Sequence, residues 1–313
     1  MRIASDKVGE KEITILWHTL WRNWRDYKLK LYRLFNVDNI EDFIKKILSS
    51  QEYQDKLLDF MVKYVKPTVI ERGDYARMIN EDIHLIPFTS KYYPQELLRM
   101  NKITEYIYPP LVLYHKGEFL DLNSKLAIAI VGTRKCTEKG FDMAIEIGRL
   151  IARRGFILVT GFARGIDFGA TKGALEEGGT VVEVRPWMDY DTIGYGKELV
   201  LEILKNGCFI SENLSKIDRI KWIRMMFQLR NRIIAGMSKI VIIVEARPKG
   251  GSMHQIEYAI KRNKPVLIWK PNVKDEEILK AYRIYRRRGA TPFNDISDLD
   301  EKIRKILLNN SSP

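Results

Sequence analysis

The sequence predicts an α/β protein built on a doubly wound, mostly parallel sheet, with a small helical domain ahead of it. Two observations carry that reading. From residue 126 onward, short apolar runs alternate with stretches of helical period, the pattern of repeated βαβ units. Before residue 81, apolar residues recur at three- and four-residue intervals, as on the buried face of successive helices.

Ile13, Leu16, Trp17, Leu20, Trp21 and Trp24 open the helical series, and Leu31, Leu34 and Phe35 continue it. Tryptophans at this spacing are expected in the core rather than stacked on bases. Arg22, Arg25, Lys28, Lys30 and Arg33 make this first segment basic. Asn39 precedes a second helical signal, Tyr53, Leu57, Leu58 and Met61 carry a third, and Pro67 breaks or re-caps the run. Residues 82–120 change character: Ile83, Leu85 and Ile86, and later Leu111 to Tyr114, suggest short strands separated by proline-rich turns. Strands are then expected at 126–131, 156–160, 180–184, 208–211, 240–244 and 266–268. Helices are expected at about 137–154, 168–177, 197–205, 219–237 and 253–262, with a last one from about 299. The boundary falls near residue 81, giving a helical domain (1–81) and an α/β core (82–313). The tail from 271 carries a basic run at 283–288 and is too short for a further complete domain.

The chain of 313 residues has 53 Lys+Arg against 40 Asp+Glu, a formal charge of +13 that suits a polyanionic partner. An inert basic surface is the plainer alternative. Its two cysteines, Cys136 and Cys208, and four histidines show no metal-ligand spacing, so neither a disulfide framework nor a structural metal is expected. Residues 1–12 mix charges without an apolar stretch, and no uncharged run approaches the roughly 18 residues of a membrane span. A reducing cytoplasm is the expected compartment.

Four clusters stand out. Gly132-Thr133-Arg134, Gly161 to Asp167 and Lys249-Gly250-Gly251-Ser252 each follow an apolar run and precede a helical pattern. In a parallel sheet such loops gather along one edge, where backbone N–H groups, helix N-termini and arginine forks hold phosphate. The first cluster lacks the G-x-G-x-x-G spacing of a dinucleotide site, and no Lys-Ser pair follows it as in a P-loop. In the second, Gly161 and Gly165 flank Arg164, while Asp167 stands where an N-cap would open the next helix. The third is Arg230-Asn231-Arg232. On one continuous helix these arginines point about 200° apart and do not both reach one ligand. Either Arg230 turns into a partly buried anion site beside Met226, Leu229, Ile233 and Met237, or the helix breaks near Asn231. Arg224 and Phe227, one turn apart, pair a cation with an aromatic face, a common grip on single-stranded nucleic acid. Each of these arginines has a plain alternative as a solvated or ion-paired side chain, and Phe227 as ordinary core.

With these residues in view, the chain resembles the DNA-processing protein A (DprA/Smf) family. The resemblance is weak over the N-terminal helices and good through Tyr92 to Leu97 and Pro109 to Gly117. It is strongest from Val131 to Ser252, where the V-G-[ST]-R, G-x-A-x-G-I-D, R-N-R-I-I-A-G-x-S and K-x-G-S motifs appear in order. It implies an extended Rossmann-like core, no catalysis and no cofactor. It also implies a homodimer that holds single-stranded DNA in a basic pocket and delivers it to a RecA-type recombinase. The matching pocket residues are Gly132, Thr133, Arg134, Arg164, Arg224, Phe227, Arg230, Arg232 and the loop Lys249 to Ser252. Three departures stand out: Thr171 replaces a histidine, Arg185-Pro186-Trp187 replaces a glycine-rich segment, and Gln228-Leu229 replaces a proline. The winged-helix module that ends many members has no counterpart in this sequence.

Two other readings use the same loops. A nucleotide-derived signal could be the ligand of a sensor domain. Alternatively, the chain could cleave nucleotide N-glycosidic bonds like the lysine-decarboxylase-like phosphoribohydrolases. Those enzymes use a glutamate where this chain has Gln255, and an amide cannot serve as general acid or base.

Overall fold

A computed structural model describes residues 9–98, 109–190, 196–216, 220–248 and 250–309. Helices α1 (Glu10–Arg22), α2 (Trp24–Phe35), α3 (Ile40–Ser49), α4 (Gln51–Tyr64) and α5 (Val69–Asn80) form the N-terminal region. Local chemistry sets their ends. Asn39 and Ser50 accept from backbone N–H groups of the first turns of α3 and α4, at 3.0 and 3.3 Å. Pro67 re-caps rather than ends the series: Thr68 and Glu71 close a capping box at the start of α5. Trp17 and Trp24 are buried as their spacing predicts.

The remaining chain builds one nine-stranded sheet. Its strands are β1 (His84–Pro87), β2 (Val112–Gly117), β3 (Ala127–Val131), β4 (Ile157–Thr160), β5 (Thr180–Val184), β6 (Cys208–Ser211), β7 (Ile240–Ile243), β8 (Val266–Trp269) and β9 (Thr291–Phe293). Between them run α6 (Gln95–Leu98), α7 (Glu138–Arg153), α8 (Ile166–Glu176), α9 (Lys197–Asn206), α10 (Ile220–Met237), α11 (Met253–Lys261) and α12 (Glu276–Arg287), and α13 (Ile296–Asn309) follows β9. The spatial order is β1-β2-β6-β5-β4-β3-β7-β8-β9. Pairing is antiparallel at β1–β2 and β2–β6 and parallel elsewhere. The central strands are buried along their whole length, as expected of a sheet covered on both faces. Chain order reverses between β3 and β7, so a crevice opens beyond their carboxyl ends, where such sheets bind ligands.

Three elements differ from the sequence expectations: Gln95–Leu98 is the short helix α6, 276–287, where only a basic run at 283–288 is expected, is helix α12, and Thr291–Phe293 forms the edge strand β9. Asp275 nucleates α12 by accepting from the Glu277 and Ile278 N–H groups at 2.9 and 3.2 Å.

The apolar core runs without interruption from the N-terminal helices into the sheet. Polar ties cross the same boundary. The Trp21 indole donates to the Glu212 carbonyl at 2.8 Å, His18 bonds the Tyr114 hydroxyl at 2.6 Å, and Arg77 pairs with Asp189 at 3.0 Å. Among the described residues, no helix is long and apolar enough to cross a membrane.

Candidate nucleic-acid interface

At the reversal point the loops after β3 and β7 are bonded to each other. The Thr133 N–H donates to the Glu245 carbonyl at 2.7 Å. The Glu245 carboxylate in turn accepts from the Thr137 N–H and hydroxyl at 2.8 and 2.7 Å, capping the first turn of α7. Burial raises the pKa of this carboxyl against those two bonds. Gly132 and a buried Thr133 thus form a fixed shelf, and Arg134 projects from it into solvent.

The next loop leans on that shelf. Ile166 opens α8, and its N–H reaches the Thr133 carbonyl at 3.4 Å. The N-cap is Gly165, not Asp167. At φ 80°, a Cβ there would also sit 2.4 Å from the Thr133 carbonyl oxygen, so only glycine fits. Asp167 lies inside the helix, and the neighbouring backbone amides of Gly161 and Ala163 favour its carboxylate. Burial pushes the Asp167 carboxyl up to about 6, against the opposing pull of Arg230, these amides and Arg134. Arg164 is exposed at the tip of the loop.

Helix α10 carries the third cluster without a break. Arg230 and Arg232 diverge accordingly. Arg230 is buried beneath the Gly161 loop, donates to the Val184 carbonyl at 3.1 Å, and leaves its Nε without a partner among the described residues. Burial lowers its pKa, while Asp167, Glu183 and Tyr190 act in the opposite direction. Arg232 instead forms a bidentate pair with Glu212 at 2.6 and 2.7 Å and also donates to the Leu229 carbonyl. Both partners of that pair are buried, so the Arg232 fork faces the interior rather than the crevice. Asn231 braces the last loop: its amide donates to the Gly251 carbonyl at 3.2 Å and its oxygen accepts from Gln255 at 2.9 Å.

Arg224 is exposed, and Phe227 is half-buried one turn later. The Phe227 ring meets Trp187 and Tyr190 edge-on, with centroids 5.8 and 5.5 Å away, and Arg230 lies 5.8 Å from its centroid. Trp187 is thus the residue that fills the wall where the resemblance led one to expect glycines. Lys249 lies outside the described residues. Gly250 turns back onto the Arg247 carbonyl, Gly251 is exposed, and Ser252 is a buried residue whose hydroxyl has no partner among the described residues.

Sequence reasoning overlooked Glu245, Glu183 and Tyr190. One signal was available for Glu183: an acid inside an otherwise apolar strand, two residues from an arginine. Arg185 pairs with it at 3.1 Å and stacks on Phe209.

Gly161 offers a direct test of this packing. A Cβ there would lie 1.8 Å from the buried Arg230 guanidinium. Gly161→Ala is expected to lower unfolding stability by about 1–3 kcal/mol, the usual cost of overpacking. An unchanged urea midpoint would show that Arg230 has room to move.

Comparison with known proteins agrees with this architecture. Residues 84–304 match the family model described as DNA recombination-mediator protein A. DNA processing protein DprA of Bacillus subtilis is 31% identical over 187 residues, covering 59% of this chain and 60% of that protein, so the match spans less than two thirds of the relative. Protein Smf of Borreliella burgdorferi is 26% identical over 279 residues, covering 87% of this chain and 82% of its own length. A solved structure of DNA processing protein A from Helicobacter pylori, described by its single-stranded DNA binding mode, superposes with a TM-score of 0.60 at 26% identity. It covers 71% of this chain and 96% of the other. The Streptococcus pneumoniae DprA structure, at 21% identity, shares the fold with a TM-score of 0.65 over 93% of this chain and 97% of its own. With the family model spanning the whole sheet and all the described crevice loops, the chain belongs to the DNA recombination-mediator protein A family.

Proposed function

We propose that this protein binds single-stranded DNA non-catalytically in the crevice at the carboxyl ends of β3, β4 and β7. The observation that carries the reading is the clustering of Arg134 and Arg230 around Asp167, with Phe227 beside Arg230. Arg164 and Arg224 add exposed cations on the flanking loop and helix. An exposed arginine on a rigid shelf and a half-buried ring meet the two needs of a single strand, phosphate neutralisation and base stacking. The H. pylori relative supports the choice of ligand. Handover to a RecA-type recombinase and assembly as a homodimer belong to the same proposal and rest on the family alone.

Titrating single strands of increasing length tests it. Affinity is expected to rise until the crevice is filled and then level off, and single strands should be preferred over duplex in the crevice. Log affinity should fall with log salt by about 0.7 per phosphate contact. Arg134→Ala and Arg164→Ala should each remove about one such contact. A response to mononucleotides equal to that of long strands would favour the sensor reading instead. For the hydrolase reading, Gln255 is buried with its amide committed to Asn231, which supports a bracing role at that position. Release of free base from AMP would overturn that assignment.

A further inference from the structure

We infer a second nucleic-acid surface, for the phosphate backbone of duplex DNA, on the sheet edge opposite the crevice. In the parallel part of the sheet, the residues that lead into each strand collect along that edge. There Lys125 precedes β3, Lys239 directly precedes β7, Lys261 ends α11 ahead of β8, and Arg286 and Arg287 end α12 ahead of β9. These four strands are consecutive neighbours in the sheet. The Lys239 N–H donates to the Ala127 carbonyl at 2.9 Å, which fixes it beside β3. Three strand spacings of about 4.8 Å make a stripe roughly 15 Å long, nearly half a turn of duplex.

All five side chains are exposed, and none pairs with a carboxylate among the described residues. Glu257 and Asp300, which lie among them, are already engaged, the first by Arg288 and the second by Arg154 and Arg304. Helix C-termini favour cations on their own account, yet Lys125 and Lys239 belong to no helix. The described exposed aromatic residues, Tyr64, Tyr92 and Phe119, lie elsewhere in the chain. Single strands are gripped through their bases as well as their phosphates, whereas a duplex presents only a dense line of phosphate to such a surface. The stripe therefore fits duplex, and the two sites allow a single strand and a duplex to be held together.

The test removes the charge of the edge in the full chain, with Lys239→Gln, Lys261→Gln, Arg286→Gln and Arg287→Gln combined. All four positions are exposed, and a thermal melt checks that the fold survives. Duplex affinity is expected to fall at least about tenfold near 0.1 M salt, and its salt slope by about three to four. Single-strand affinity should stay within about twofold. Arg134→Ala with Arg164→Ala should do the reverse, and wild-type protein should carry a labelled duplex and a labelled single strand at once. Unchanged duplex binding by the quadruple variant overturns the inference, as does displacement of bound duplex by single strand. So does a loss confined to phosphatidylserine vesicles, which would make the stripe a membrane contact. Loss of duplex binding in a protein that binds no single strand would uphold the edge site and sink the crevice reading.

Discussion

Arg230→Ala is expected to cost about 3–5 kcal/mol of folding stability at pH 7.5 and to remove most single-strand binding, because breaking a buried charge cluster strands its counter-ions. Arg230 is 6% exposed, and the carboxylates of Asp167 and Glu183 are nearby. Glu183 keeps Arg185 as a partner at 3.1 Å, so its loss is partial. Among the described residues, Asp167 keeps the neighbouring backbone amides and the more exposed Arg134. The penalty should shrink at pH 5, where Asp167 takes up a proton and its charge no longer needs an arginine. Arg230→Lys retains the charge without the planar fork, so it should restore more stability than binding. Urea unfolding at both pH values, with fluorescence anisotropy of a labelled oligonucleotide, separates the two effects. A variant within about 1 kcal/mol of wild type would mean that Arg230 is dispensable to the cluster.

How much of this was legible beforehand follows from which forces are local. Strand positions 180–184 and 208–211 were read without error, because a buried parallel strand is a short apolar run and little else resembles one. Helix α12 leaves little trace in the sequence because its buried residues, Ile278, Ala281 and Tyr285, are sparse among six charged ones. The Arg230–Asn231–Arg232 cluster shows both the reach and the edge of sequence reasoning. The sequence leaves open a break near Asn231; the helix is continuous, and on it the two arginines diverge. Which one turned toward the crevice depended on Glu212, a residue 20 positions away that only the fold brings under Arg232. The sequence predicts a cap at Asp167 because its position is a helix start. The backbone chose Gly165 instead, through a left-handed turn that the sequence permits but does not announce. Division of the chain near residue 81 marks a real change in secondary structure, yet the apolar core crosses it.

Single-strand affinity is expected to be greater at pH 5.5 than at pH 7.5, and Asp167→Asn to remove most of that difference. Burial raises the Asp167 carboxyl from 3.8 to about 6, so the folded protein holds this proton more tightly than the unfolded chain does. Its contribution favours the fold below about pH 4 and is lost as pH rises through 6. A shift of that size corresponds to roughly 3 kcal/mol. The stability of Asp167→Asn relative to wild type should therefore improve by up to that amount between pH 4 and 7.5. Phosphate arriving at Arg134 and Arg230 adds negative charge beside Asp167. It raises the carboxyl's pKa further, so binding takes up a proton and tightens as pH falls. Glu183, whose carboxyl burial also raises even though Arg185 pairs with it at 3.1 Å, is the competing source of a similar trend. The asparagine variant distinguishes them. If its affinity for single strands still climbs as steeply on acidification, Asp167 is not the proton acceptor, and the protonation step belongs elsewhere on the binding surface.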